Sequence, residues 1–115
     1  MSARDNIYNA IKDKIDVRLE LNTRTRVTTD TAIINRLNSF IDFGNALGGW
    51  DTWQIHIFTP NNPFHLDALR ELIIEALVSN GIQVQLTLDY ETFDTDLNCY
   101  YTSVYCLTPR TIYYK

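Results

Sequence analysis

Residues 50–81, WDTWQIHIFTPNNPFHLDALRELIIEALVSNG, decide the fold because their hydrophobic period changes once, at a break made of Pro and Asn. Before the break, apolar side chains alternate at Trp53, Ile55 and Ile57, and Phe58 adds an apolar residue to the other face. This pattern predicts a strand with two largely apolar faces, which is typical of a central position in a sheet.

After the break, the same stretch predicts an amphipathic helix. Asn62 and Pro63 are residue types preferred at the N-cap and at the first helical position. Gly81 suits the left-handed residue that follows a helix end. Between these signals one helical face is apolar, and its members are Leu66, Leu69, Ile73, Ala76 and Leu77.

Downstream, a second alternating run predicts a strand over residues 82–90 with one wet face. The acidic segment 91–98 is expected to be a loop. The tyrosine-rich residues 99–107 are expected to form a strand that pairs with 82–90 as a hairpin. Pro109 ends this strand, and residues 111–114 are expected to form a tail or an edge strand.

Upstream, Ile7, Ile11 and Ile15 recur at helical spacing, which predicts a helix from Ala3 to about Ile15 with Ser2 as its N-cap. The period then changes to two, so we expect a half-buried strand over residues 15–21 that continues towards residue 27.

Residues 28–48 carry mixed signals. Ile33, Leu37 and Ile41 have helical spacing and Asp30 is a capping residue type, so we expect a short helix or turn near residues 31–38. An extended piece near 39–45 and a turn at Gly48-Gly49 should follow.

This order of elements predicts an α+β fold in one domain, residues 1–115, with a single mostly antiparallel sheet of four to five strands covered by two helices. The composition, 45% hydrophobic and 21% charged, is that of an ordinary globular protein and argues against intrinsic disorder.

Net charge and hydropathy limit the kinds of partner that we expect the chain to bind. A net charge of -4 disfavours sequence-specific nucleic acid binding, because phosphate recognition needs clustered cations, although Arg18, Arg24 and Arg26 lie close together in the sequence. No run approaches the roughly 18 apolar residues of a membrane span. The N-terminus has no apolar signal core, so we expect no membrane partner and a cytoplasmic chain before assembly.

The two cysteines are expected to be free thiols. Cys99 and Cys106 have an odd separation, which places them on opposite faces of one strand and prevents a bridge between them.

No cofactor, metal or catalytic residue is expected. His56 and His65 are the only histidines, and no Cys or His pair has zinc-ligand spacing. The acidic segment lacks the glycine and terminal glutamate of an EF-hand loop. Its carboxylates are Glu91, Asp94 and Asp96, and Asp89 lies two residues before it. Neither a nucleophile elbow nor a phosphate-binding glycine loop is present, so we expect no enzymatic activity.

Aromatic residues give the clearest functional signal, with seven Tyr, five Phe and two Trp. Tyr and Trp are enriched at the centres of protein interfaces. Their acidic neighbours argue against RNA stacking, which needs basic residues. The candidate interface residues are Trp50, Tyr100, Tyr101, Tyr105, Tyr113, Tyr114, Asp94 and Asp96.

The chain resembles the small tail-completion or tail-terminator proteins of long-tailed bacteriophages, and among them those from the connector region of siphophages that infect Gram-positive bacteria. The resemblance lies in element order. It includes the tryptophan-bearing strand, the Pro/Asn break and the helix of residues 50–77, then the strand, the acidic loop and the tyrosine-rich strand that ends in Thr108-Pro109-Arg110. It rests on no diagnostic motif and carries over no functional residue.

The resemblance implies an α+β subunit of a homohexameric ring at the tail–head junction of the virion. Such a ring would cap the tail tube, stop its polymerisation and contact the head connector. The expected partners are further copies of the chain, the tail tube protein and the head-completion or connector protein. Two alternatives remain: a head-closure or neck protein of the same connector, and a small inhibitor whose aromatic face binds one target protein.

Overall fold

The computed structural model describes residues 2–18, 27–41, 49–85 and 91–109. In chain order the elements are α1 (Ala3–Ile11), β1 (Asp16–Arg18), β2 (Thr31–Ile41), β3 (Gly49–Thr59), α2 (Pro63–Ser79), β4 (Gln83–Gln85), β5 (Thr92–Asp94) and β6 (Cys99–Pro109). The α+β prediction is confirmed, with six strands instead of four to five. Within the described ranges, no helix is long and apolar enough to cross a membrane.

The six strands form one sheet in the order β1-β2-β3-β6-β4, and β5 pairs with the same edge of β6 as β4 does. The strand pairs are antiparallel except for β1 with β2, which is parallel. β3 lies between the two other eleven-residue strands, as its apolar faces predict. The two outermost strands, β1 and β4, and also β5, have three residues each.

Both helices pack on one face of the sheet, where the main core lies. The core joins the isoleucines of α1, the apolar stripe of α2 and alternate residues of β2, β3 and β6. Its fully buried aliphatic members are Ile7, Ile11, Ile55, Ile57, Leu66, Ile73 and Leu77. The apolar periods identified in the sequence therefore mark the residues that the sheet and helices bury.

The helix ends follow their local signals. Ser2 and Asp5 form a reciprocal capping box on α1, and Asn62 Oδ1 accepts a hydrogen bond from the His65 backbone N–H at 2.9 Å. Gly81 has φ 76°, and the N–H groups of Gly81 and Ile82 close the end of α2 by donating to the carbonyls of Val78 and Leu77.

α1 is shorter than predicted, ending at Ile11 instead of near Ile15, because residues 12–14 form a turn. Ile15 is still 95% buried, since the turn brings it back onto the helical side of the sheet.

The helix or turn expected near residues 31–38 is wrong, because that segment belongs to strand β2. Spacing of four residues suits a helix, but ten positions of β2 pair with β3, and this tertiary pairing outweighs local preference. The strand takes up one extra residue as a bulge between Arg36 and Asn38. Residues 39–41 are extended as predicted, and Gly49 begins β3.

The acidic segment 91–98 is only partly a loop. Its residues 92–94 pair with β6 as strand β5, and residues 95–98 form the turn of that hairpin. The predicted pairing of the 82–90 strand with β6 is confirmed for Gln83–Gln85. Several predicted features lie outside the described residues: strand residues 19–21 with their continuation, Arg24, Arg26, Gly48, Asp89, Tyr113 and Tyr114.

Candidate protein-interaction surfaces

The sheet side opposite the helices presents polar and aromatic side chains. Strand register aligns Asn35 with Gln54 and Tyr105, and places His56 and Tyr101 in the neighbouring rows. Paired residues of neighbouring strands point to the same side of a sheet. We call this surface the open face: Asn35, Gln54, His56, Tyr101 and Tyr105. Asn35 is exposed and the other four side chains are half-buried.

Side-chain hydrogen bonds connect the open face across the strands. The amide nitrogen of Asn35 lies 3.1 Å from His56 Nε2, and His56 Nδ1 lies 2.6 Å from the Tyr101 hydroxyl. Because an amide nitrogen can only donate, Nε2 accepts, and a neutral ring then donates from Nδ1 to Tyr101. A second bond runs from Gln54 Nε2 to the Tyr105 hydroxyl, at 3.1 Å.

Burial lowers the pKa of His56, which favours the neutral ring that this pattern requires. The ring also stacks on Tyr101, with centroids 5.6 Å apart. His56 is therefore part of a directional hydrogen-bond network that runs across β2, β3 and β6.

One end of the open face is closed by a small apolar cluster, formed by Val27, Ile33, Phe58, Leu97 and Cys99. The Val27 N–H donates to the Leu97 carbonyl at 3.0 Å. This hydrogen bond links the residues before β2 to the turn between β5 and β6. Tyr101 packs against this cluster, so it borders both the apolar end and the polar row.

The two cysteines lie on opposite sides of β6, as their odd spacing predicts. Cys106 belongs to the main core and Cys99 to the cluster on the open side. Burial raises the pKa of Cys99 to about 11 and that of Cys106 to about 12, so both thiols stay protonated near neutral pH. Neither has the exposed thiolate of a reactive cysteine.

Three of the candidate aromatic residues share the open side of the sheet. Tyr101 and Tyr105 belong to the open face, and alternation along β3 places Trp50 on the same side as Gln54 and His56. Trp50 is 42% exposed. Tyr100 lies on the helical side, against the main core and edge-on to Phe93.

The two candidate carboxylates have different positions. Asp94 is half-buried, and its Oδ1 accepts hydrogen bonds from the backbone N–H groups of Asp96 and Leu97 at 2.9 and 3.0 Å. This carboxylate shapes the β5–β6 turn. Asp96 is exposed. Among the described residues, no group of three or more His, Cys, Asp or Glu side chains is arranged to hold a metal ion.

The sequence did not reveal a polar cluster at the start of α2. Asp30 Oδ2 lies 2.6 Å from His65 Nε2, and Asp30 Oδ1 accepts from the Thr59 hydroxyl at 2.7 Å. Thr59 is fully buried, so its hydroxyl cannot serve as an exposed nucleophile. The cluster ties together the start of β2, the end of β3 and the first turn of α2.

Charge differs between the two lateral halves of the sheet. Described residues up to Ile41, which supply α1, β1 and β2, include five Lys or Arg and four Asp. Described residues from Gly49 onward, which supply β3, α2, β4, β5 and β6, include one Arg and seven Asp or Glu. The β5 edge, with the residues beside it, contributes Glu91, Asp94 and Asp96 and no cation among the described residues, so it is anionic, whereas the β1 edge has exposed cations beside carboxylates and is close to neutral.

No protein-family model matches this chain, and no curated protein matches it.

Proposed function

We propose that the protein is a structural subunit that assembles head to tail into a ring and caps the tail tube of a long-tailed bacteriophage, as a tail terminator. One sheet covered by two helices is the fold class that the resemblance implies. The resemblance also supplies the expected partners, the tail tube protein and the head connector.

The observation that carries the proposal is the charge difference between the β1 edge and the β5 edge. A ring needs two different surfaces on every subunit, each complementary to the other. An anionic edge opposite an edge with exposed cations provides such a pair. Two anionic edges would instead repel each other.

The open face supports a further contact, made along the ring axis with the tube or the connector. Its five side chains donate or accept hydrogen bonds, and two are tyrosines. Tyrosine and uncharged polar groups are typical of surfaces that recognise proteins. Trp50, on the same side of the sheet, adds an exposed aromatic side chain.

The test is to add the purified protein to tubes polymerising from the tail tube protein of the same phage, and to image tube ends and lengths by electron microscopy. We expect shorter tubes with extra density at one end. The double substitution Trp50→Ala and Tyr105→Asp should remove the effect. Leu37→Ser, at an apolar residue of β2 that is 48% exposed, similar to Trp50, and belongs to neither the open face nor the β5 edge, should keep it.

Bare tube ends and unchanged lengths would contradict the tail-terminator proposal. If the protein binds the connector and leaves tubes unaffected, the head-closure or neck alternative is supported. Capture of a single host protein by a strictly monomeric chain would support the inhibitor alternative.

A further inference from the structure

Phe64 is the most exposed large hydrophobic side chain among the described residues, at 84%. It lies in the first turn of α2, directly after Pro63, where capping by Asn62 makes no demand on its side chain. The fold therefore gives no reason for phenylalanine at this position. An exposed aromatic side chain of this size suits insertion into another surface.

Phe64 begins an outward-facing row on α2, here called the α2 stripe: Phe64, Asp67, Glu71, Glu75 and Val78. All five are exposed, and Val78 is 59% exposed. The three carboxylates follow one another at spacings of four residues, an arrangement that destabilises an isolated helix by like-charge repulsion.

A further acidic side chain lies at the start of the stripe. Glu91, which precedes β5, forms a hydrogen bond with Asp67, and this bond raises the pKa of Glu91. Phe64 therefore projects from a negatively charged surface.

A cleft of about 380 Å³ lies between α1, β1 and β2 and is here called the α1–β1 cleft. Tyr8, Val17 and Ile34 give it apolar walls, and Arg4 and Arg18 line it as well. Asp5 also borders the cleft, with its carboxylate bonded to the Ser2 backbone N–H.

The two arginines differ in how firmly they are held. Arg4 lies 5.5 Å above the Trp53 ring, which keeps its guanidinium beside the cleft. Arg18 pairs with Asp16 at 2.9 Å, and both side chains are about half exposed. An exposed pair of this kind contributes little to stability, so Arg18 is able to exchange its partner for an incoming carboxylate.

We propose that the α2 stripe of one copy docks on the α1–β1 cleft of the next copy, with Phe64 entering the cleft and Asp67 facing Arg18. This inference rests on the proposed function, because it names the two surfaces that would join the ring. The occupant is a second copy because the stripe has three carboxylates, the cleft is lined by two arginines, and the two surfaces lie on different elements of one chain. Two different surfaces of this kind give head-to-tail contacts.

The experiment compares self-association of four single variants with that of the wild type, by sedimentation velocity from micromolar to millimolar concentration at low salt. Phe64→Ser and Arg18→Glu should each weaken association by at least about tenfold, as expected at the centre of an interface. Leu37→Ser and Arg36→Glu are matched controls, since both residues are exposed and neither lines the cleft or the stripe. Both controls should associate like the wild type.

A mixing experiment then tests the head-to-tail direction. The Phe64→Ser variant keeps an intact cleft, and the Arg18→Glu variant keeps an intact stripe. Their mixture should therefore form dimers at concentrations where each alone is monomeric, and growth should stop at two copies. Thermal unfolding of each variant verifies that the fold is retained.

Each of three results would overturn the docking inference: wild-type protein that stays monomeric at every concentration, variants that associate like the wild type, or a mixture that remains monomeric. Loss of tube or host-protein binding by the cleft variant, with self-association unchanged, would assign the cleft to that partner and also overturn it. Tube capping is measured separately, so protein that caps tubes and ignores both substitutions would refute the docking and keep the proposed function.

Discussion

The two sides of the sheet use the same strands for different purposes. On the helical side, Ile55, Ile57 and Val104 are at most 1% exposed and pack against both helices. On the other side, the alternate residues Gln54 and His56 are half-buried and bond to other side chains. Burial of aliphatic groups stabilises a fold without specifying a partner, whereas directional polar groups can be exchanged for those of another protein. Residues that pack in the core and residues that form side-chain hydrogen bonds on the open side therefore alternate along β3 and β6.

The largest expected difference between the two sides comes from truncating one residue of β3 on each side. Ile57→Ala should lower the free energy of unfolding by about 2–5 kcal/mol, because it leaves a cavity beneath the helices. Gln54→Ala, on the open face, should lower it by about 1 kcal/mol or less. Urea unfolding with a common m-value measures both. Equal losses would show that the open face is as important for stability as the core.

The second largest expected effect on stability comes from the polar cluster of Asp30, Thr59 and His65, here called the Asp30 cluster. Asp30→Ala removes the acceptor of the buried Thr59 hydroxyl and the partner of His65, which should cost about 1–3 kcal/mol of unfolding free energy. Asp16→Ala is the matched control, since its pair with Arg18 is exposed and should contribute about 1 kcal/mol or less. If both variants unfold at the same urea concentration, the cluster does not hold β2, β3 and α2 together.

Local signals account for the parts of the fold that the sequence predicted. Both helix N-caps and the glycine after α2 act within a few residues, and the alternation in β3 is visible without knowledge of its neighbours. The parity rule also separated Cys99 from Cys106.

The incorrect predictions share a dependence on distant partners. Ile33, Leu37 and Ile41 fit a helix by spacing, and only pairing with β3 makes them part of a strand. β5 has three residues and owes its conformation to β6. The contacts of Asp30 reach 29 and 35 residues along the chain, and those of His56 reach 21 and 45. No local pattern marks such groups before the fold is known.

As the pH falls, the hydrogen bonds of the open face should lose their contribution to folding stability before the packing of the core does. The folded pKa of His56 lies below its ordinary value of 6.5, so the unfolded chain binds a proton more readily at this site. Its contribution to stability is therefore complete above pH 6.5 and decreases as the pH falls through that value towards the folded pKa. Thermal unfolding between pH 8 and pH 5, in wild type and His56→Gln, measures the effect. The variant should lose less stability on acidification, and identical pH profiles would exclude His56 as the cause.

The smallest expected effect on stability comes from removing the Tyr105 hydroxyl. This change compares the role of one open-face group in protein binding with its role in folding. Tyr105→Phe removes one hydroxyl and its bond to Gln54, and the half-buried ring keeps its packing. The loss should be about 0.5 kcal/mol, because Gln54 can bond to water instead. If the open face binds a protein through such directional groups, the same substitution should weaken tube or connector binding clearly more than it weakens folding, measured by tube capping and by urea unfolding. Val104→Ala, on the buried side of the same strand, should show the reverse order. Tyr105→Phe with unchanged capping would assign the Tyr105 hydroxyl to the fold alone and leave the exposed Trp50 as the aromatic contact to test.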